Sequence, residues 1–170
     1  GSWDGYLYAL QHADGAQKWT FRTSGAIASA PVVSSDGGTV FVASRDFNIY
    51  AISSTTGLHK WSFATDGPVI SSPVQSANGA IVYVGSSDKK VYALSAATGS
   101  KIWEVSTGDA VIASPAVCDH GDGPTAFVVS SGNKLYAVDA AKGEKRWDFA
   151  TQGSLVSSPV FSADCKTAFV

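Results

Sequence analysis

The chain has 170 residues, of which 45% are hydrophobic and 15% charged, with a formal net charge of −2. That length supports one domain with a sizeable core, and a charged share below the usual value of about 25% leaves Ser, Thr, Gly and Asn to supply much of the polar surface. The near-neutral balance without any Lys/Arg run argues against a nucleic-acid or anionic-membrane partner, and no apolar run approaches the roughly 20 residues of a membrane span. There is no Met, even at position 1, as expected of a processed chain or a fragment.

The chain enters at "GSWDGYLYAL", read as a turn and a strand. It continues through Tyr8, Ala9, Gly15, Trp19, Pro31 and Phe41. The same order returns at Tyr50, Ala51, Gly57, Trp61, Pro73 and Tyr83, and again at Tyr92, Ala93, Gly99, Trp103, Pro115 and Phe127. A fourth copy holds Tyr136, Ala137, Gly143, Trp147, Pro159 and Phe169. Tryptophans and prolines alike are spaced 42, 42 and 44 residues apart. Registers in step this way define an internal repeat. Its copies cover about 1–42, 43–84, 85–128 and 129–170 of a single segment.

Within a copy every signal is β. "IVYVGS" and "KVYALS" are β-rich runs separated by the polar turn "SDK". "KIWEVS" follows "AATG", where Gly99 offers the permissive backbone of a tight turn. "VIASPAV" completes four strands, and no segment sustains a 3.6-residue period. Four short antiparallel strands in about 42 residues is the size of one β-propeller blade. The predicted fold is therefore an all-β propeller of four-stranded antiparallel blades. Pro115 to Phe127 spans 12 residues where the other copies span 10. The extra pair lies in "CDHGDGPT", between first and second strands, where a loop insertion leaves register intact. The chain ends at "TAFV" in a second strand, so it holds a half blade, three blades and a half blade.

The Ala-Gly-Trp spacing of Ala93, Gly99 and Trp103 resembles the tryptophan-docking motif of quinoprotein-type propellers. The surrounding "VYVGSSDKKVYALSAATGSKIWEVSTGDAVIASP" is similar to the pyrroloquinoline-quinone-type repeat. All copies keep the motif, through Ala9, Gly15 and Trp19, Ala51, Gly57 and Trp61, and Ala137, Gly143 and Trp147. The resemblance implies that each Trp is held between the peptide at its own Gly and the Ala of a neighbouring blade. A large flat ring then joins adjacent sheets, with small residues admitting it to the backbone. It also implies a ring of seven or eight blades. Eight is the expectation, completed by a second copy in a homodimer joined through the half-blade ends, or by a larger parent. A single chain pairing its own ends into four blades is the alternative.

Several side chains are candidates beyond the motif. Asp4, Asp46 and Asp88 share one position in the turn between second and third strands. Capping of that turn is their plain role, and Gly132-Asn133 in the last copy excludes a four-fold acidic ring. The same face carries Trp3, Arg45, Phe47, Lys89 and Asn133, with the links "TSGA", "TDGP", "TGDA" and "TQGS". These vary between copies, and aromatics with Arg dominate binding hot spots, so they form a possible partner face. Ordinary variable turns are the alternative. Asp119, His120 and Asp122 offer oxygen ligands for a hard cation, but their spacing fits an inserted surface loop equally. His12 and His59 read as surface residues. Cys118 and Cys165 sit in adjacent copies on one face, with disulfide and free thiols both open.

A quinone dehydrogenase of this family needs the quinone, a calcium ion, a carboxylate base and commonly adjacent cysteines. The two cysteines here lie 47 residues apart, and no catalytic constellation assembles from the string. Neither quinone nor calcium is supported, and no enzyme activity is expected. The repeat also resembles that of the non-enzymatic outer-membrane assembly lipoproteins, of luminal unfolded-protein sensors and of the tail domain of certain acyl-activating enzymes. The resemblance implies a non-catalytic scaffold for protein interaction or assembly, in a periplasmic, luminal or extracellular setting. A fragment of a quinone-dependent dehydrogenase propeller and a self-associating extracellular structural protein are the alternatives.

Overall fold

The computed structural model describes every residue except His120 and Asp122. Among the described residues every regular element is a β-strand, and no helix is long and apolar enough to cross a membrane. The chain opens with a two-stranded sheet, β1 (Tyr6–Leu10) and β2 (Gln17–Arg22). Three four-stranded antiparallel sheets follow. The first holds β3 (Val32–Val33), β4 (Thr39–Ala43), β5 (Asn48–Ser53) and β6 (His59–Ala64). The second holds β7 (Val74–Gln75), β8 (Ile81–Gly85), β9 (Lys90–Ser95) and β10 (Lys101–Ser106). The third holds β11 (Ala116–Asp119), β12 (Pro124–Ser130), β13 (Lys134–Asp139) and β14 (Lys145–Ala150). A last pair, β15 (Val160–Phe161) and β16 (Ala168–Phe169), ends the chain. These are half, whole, whole, whole and half blades of a propeller, in which every strand pairs with its sequence neighbour. The two half blades do not pair with each other.

The middle strands read as continuous apolar runs because both of their faces are covered. In "TVFVA" of β4 all five residues are buried, the pattern of a strand sandwiched between layers. Hydrophobic clusters accordingly sit between blades. Phe41, Ile49 and Trp61 of the first whole blade meet Val82, Val84, Tyr92 and Leu94 of the second. Tyr83, Val91 and Trp103 meet Val128, Tyr136 and Val138 in the next seam.

The first strand departs from the sequence reading. "VIASPAV" was expected to be extended throughout, but its strand β11 begins only at Ala116, and the matching β3 and β7 have only two residues each, all after the proline. The segment before them pairs through side chains. Ser29 Oγ donates to the Ala43 carbonyl (2.8 Å) and accepts from the Ala43 amide (3.0 Å). Ser71 does the same with Gly85. A hydroxyl thus replaces the missing backbone ladder, which keeps the buried groups of β4 and β8 satisfied. Farther along, Ala30 N–H donates to Ser72 Oγ, Ser72 N–H to Ser114 Oγ and Ser114 N–H to Ser158 Oγ. One such bond joins each consecutive pair from the first whole blade to the last half blade.

The tryptophans follow one geometry. Trp61 lies opposite Ala51, which lies opposite Phe41, so the three share one face. The small Ala lets the rings approach to 5.8 Å between centroids. A β-bulge just beyond the pair re-aims the edge strand, as at Ala9/Leu10 and Ala137/Val138. The ring then meets the glycine of the following blade. A Cβ added at Gly99 would lie 2.6 Å from the Trp61 ring, and one at Gly57 or Gly143 would lie 2.8 Å from Trp19 or Trp103. Each indole N–H donates to a carbonyl in that same turn, of Ser54, Ala96 or Ala140, at 3.0 Å. This reverses the partners implied by the resemblance: the Ala belongs to the same blade and the Gly to the next one. The reason is geometric, since Ala and Trp are neighbours across one antiparallel pair and share the face that points at the following blade.

Cys118 and Cys165 form a disulfide, with Cα atoms 6.0 Å apart. It ties β11 to the turn between β15 and β16. A two-stranded sheet alone is marginal, and here Phe161 also packs against Phe127 at 4.5 Å.

Two measurements of chemical denaturation test this architecture. Trp61→Ala should lower stability by about 3–5 kcal/mol, as buried aromatic truncations do. Gly99→Ala should be more damaging than Gly15→Ala, although both sites are left-handed with φ of +74° and +72°. Only Gly99 has a ring over it. Equal effects would mean that backbone strain alone, at about 1–2 kcal/mol, explains both. Separately, Cys118→Ser with Cys165→Ser should remove about 4 kcal/mol, from the 47-residue separation and loop-closure entropy. An unchanged midpoint would show that the half blade needs no covalent staple.

Candidate functional site: the turn face

In each repeat the turn between second and third strands contains one left-handed residue. Gly5 (φ 85°) is the unstrained form, and Phe47 (φ 76°), Lys89 (φ 74°) and Asn133 (φ 112°) occupy the same position later. A side chain there costs about 1–2 kcal/mol. Surrounding bonds enforce the conformation. The carbonyl of each left-handed residue accepts the amide of a Thr eighteen residues on, at 2.8–2.9 Å: Thr23, Thr65, Thr107 and Thr151. The Thr hydroxyl reaches the same carbonyl and a second one in the link, as Thr65 Oγ1 does with Phe47 O (2.9 Å) and Gly67 O (2.7 Å). Sequence reading treated these links as variable and missed that their leading Thr keeps the repeat period.

The aspartates stabilise the same turns. Asp46 Oδ1 accepts from the amide of Asn48, and its Oδ2 accepts from the Tyr50 hydroxyl and from the Ser24 amide of the preceding link. Asp88 repeats this with Lys90, Tyr92 and Asp66. Asp4 caps Tyr6 and receives the Tyr8 hydroxyl. The capping expected from the sequence therefore extends across the seam. An Asp-x-x-x-Tyr spacing was the unused signal. In the last copy Gly132 replaces the Asp, and the Asp109 carboxylate from the preceding link fills the space where its Cβ would be. Tyr136 donates to the Thr107 carbonyl instead.

The exposed side chains stand on this frame. Trp3 is 72% exposed, and the Arg45 guanidinium sits 5.1 Å from its ring centre. Phe47 is exposed at 44%, and Lys89 is exposed one blade on. Asn133 turns inward, donating through Nδ2 to the Thr151 carbonyl. Beside Trp3 an open cleft of about 550 Å³ is lined by Trp3, Asp4, Arg22 and residues 23–26. The face thus offers aromatic surface with cations over a rigid turn array. It brings Trp3 and Arg45 together, places Phe47 and Lys89 in successive turns, and withdraws Asn133. Of the proposed cation loop, His120 and Asp122 lie outside the described residues. No three His, Cys, Asp or Glu converge among the described ones.

Titration of the frame follows from these bonds. The Tyr8 hydroxyl and Tyr6 amide hold the Asp4 carboxyl below its ordinary range. Burial, aided by the Asp46 bond, pushes the Tyr50 phenol far up, and burial with Asp88 does the same to Tyr92. Burial, with the Asp139 charge second, pushes Tyr83 up to about 12. A raised folded-state value gives stability that is complete below the unfolded phenol value of about 10 and is lost as pH rises beyond it. Phenolate absorbance should then show these three tyrosines protonated well above pH 10 and ionising together with unfolding. Independent titration of all six tyrosines near pH 10 in a folded chain would contradict the bonding described.

Against known proteins, the family described as outer membrane protein assembly factor BamB matches residues 2–116 and 110–165. Comparison with curated proteins finds no match. Among solved structures, the crystal structure of BamB from Moraxella catarrhalis superposes with a TM-score of 0.78 at 21% identity, covering 94% of this chain and 50% of that one. That likeness concerns the fold, and the chain spans half the length of the solved protein. With the family match running over nearly every repeat, the chain belongs to the outer membrane protein assembly factor BamB family, whose repeat is of the pyrroloquinoline-quinone type.

Proposed function

We propose that this chain is a non-catalytic propeller scaffold for protein interaction or assembly, its blades held by tryptophan docking, and that its turn face receives the partner. The observation that carries this reading is the use of Phe47 and Lys89 where Gly5 shows that glycine suffices. Strained backbone persists where the surroundings over-determine it and collects at functional sites. A bulky ring and a cation displayed at that cost, beside the Trp3–Arg45 pair, are the side-chain types that anchor partners. The family's printed role points to outer membrane proteins or their assembly components as the partner class. The disulfide suits an oxidising compartment such as the periplasm.

Phe47→Gly and Lys89→Gly separate display from stability. Each should raise stability by about 0.5–1 kcal/mol, the left-handed strain relieved less the added unfolded-state entropy. Each should also weaken binding of a denaturant-diluted outer-membrane β-barrel protein, read by fluorescence anisotropy, with Trp3→Ala and Arg45→Ala weakening it about tenfold or more. If binding is absent, or survives all four changes, the turn face is not the partner site.

A further inference from the structure

The chain has three asparagines, Asn48, Asn78 and Asn133, followed by Ile49, Gly79 and Lys134. Only Asn78 precedes a glycine, and it alone of the three is exposed. It stands in the turn between β7 and β8. Asn48 and Asn133 donate through Nδ2, to the Asp46 and Thr151 carbonyls at 2.9 and 3.1 Å. Asn78 is bonded the other way round. Its Oδ1 accepts from the Ser76 hydroxyl at 2.7 Å and from the Ala80 amide at 3.1 Å. Among the described residues no bond is made to its Nδ2.

The repeat shows what this turn is built to hold. The position of Asn78 is Asp36 one copy earlier and Asp164 in the last copy. Asp36 Oδ1 accepts from the Ser34 hydroxyl at 2.5 Å and the Gly38 amide at 2.9 Å. Asp164 Oδ1 accepts likewise from the Ser162 hydroxyl and the Lys166 amide. These are the bonds of Asn78 Oδ1, so a carboxylate fits the turn without rearrangement. The Ser34 bond, then the Gly38 amide, holds the Asp36 carboxyl below its ordinary range, with the Lys60 charge adding to both. Lys60 also lines the cavity of about 400 Å³ that Asn78 borders.

We infer that Asn78 is a self-modification site, converted to aspartate by the turn that holds it. The Gly79 nitrogen bonds to Cγ of Asn78, and Nδ2 leaves as ammonia with the proton of the Gly79 amide. Water then opens the cyclic imide. Attack at Cγ places hydroxyl on that carbon and hydrogen on the Gly79 nitrogen, which restores the peptide with aspartate at position 78. Attack at the main-chain carbonyl gives isoaspartate, with the backbone rerouted through the side chain. Gly79 has no Cβ to obstruct its nitrogen. The two donors on Oδ1 act as a small oxyanion hole, taking up the charge that develops there as nitrogen adds. The Gly79 amide donates to the Ser76 carbonyl at 2.9 Å, so attack waits on a local opening of the kind that costs little in exposed loops. The same donors activate Cγ of the imide, which directs water to it and makes aspartate the product. The seam opposes isoaspartate as well. Gly79 O accepts from Gln75 Nε2, and Gln75 Oε1 accepts from the Ser35 amide of the preceding blade, both at 2.8 Å. An added backbone methylene would displace that link. The inference is independent of the turn face and of the scaffold reading.

Ageing the folded 170-residue chain at mildly alkaline pH, followed by ion exchange and peptide mapping, tests it. Trypsin puts Asn48, Asn78 and Asn133 in separate peptides, residues 46–60, 61–89 and 102–134. One acidic species is expected, co-eluting with Asn78→Asp, changed only in residues 61–89, with aspartate exceeding isoaspartate at position 78. Ageing in urea should reverse that ratio, because the donors on Oδ1 are then lost. Ser76→Ala, checked by circular dichroism, should slow the reaction several-fold. That is less than the roughly hundredfold cost of losing an oxyanion donor in a closed active site, because water reaches this turn. Absence of conversion, or conversion at Asn48 or Asn133 instead, overturns the inference. So does an excess of isoaspartate in the folded chain, or a rate that Ser76→Ala leaves unchanged or raises.

Discussion

A four-stranded blade has two apolar faces, and only another blade can cover them. Everything else in this molecule follows from that constraint. The buried clusters lie between sheets, so no blade has a core of its own. Stability is then a sum of seams in a nearly one-dimensional array, and each seam needs a contact that fixes both distance and rotation. The Trp ring supplies both. Its face rests on a glycine whose missing Cβ sets the distance, and its N–H bonds a carbonyl three residues away in the same turn. Neither contact alone prevents the sheets from sliding, but a stacked plane with a directional bond at its edge does.

The two rims of the propeller are used differently. On the rim of the β5–β6 and β9–β10 turns, glycine is kept in every copy, and a ring sits on it at Gly57, Gly99 and Gly143. On the opposite rim, Phe47 and Lys89 face solvent, and three of four copies replace glycine. The backbone demand is the same at both positions, so the difference lies in what occupies the space beyond the Cβ. Where a neighbouring blade occupies it, the side chain is excluded. Where nothing does, a side chain is tolerated at the expense of strain that the Thr clamps absorb. The variable positions are thus permitted by the same geometry that makes the docking positions invariant within the chain.

The blades and strand order were legible because a repeat writes the same physical requirement four times. Ala, Gly and Trp stood out as types that seldom recur together at fixed spacing without a shared contact. What was not legible is equally specific. Whether a Trp meets its own Gly or the next is a question of which face of the sheet it occupies, and spacing along one strand pair is silent about that. The shortness of β3 and β7 was hidden because Ser29 and Ser71 replace backbone bonds with side-chain ones, and serine carries no strand signal. The disulfide required strand β11 and a turn of the next blade to bring two Cα atoms within 6.0 Å. The turn face was found from its variability, but its frame was missed, since Thr and Asp-x-x-x-Tyr are common residues whose meaning lies in pairing across a seam.

The fourth copy shows how far the frame can drift. It loses the turn aspartate at Gly132, and the preceding link supplies Asp109 in its place; the tyrosine at 136 turns its hydroxyl to Thr107. A turn and the preceding link thus keep one carboxylate and one phenol bond at the same seam. A repeat protein under selection for packing alone would have no reason to keep Phe47 and Lys89 strained while repairing Gly132 so closely. Repair of the frame beside retention of strain in the display is the contrast on which the proposed turn-face role rests.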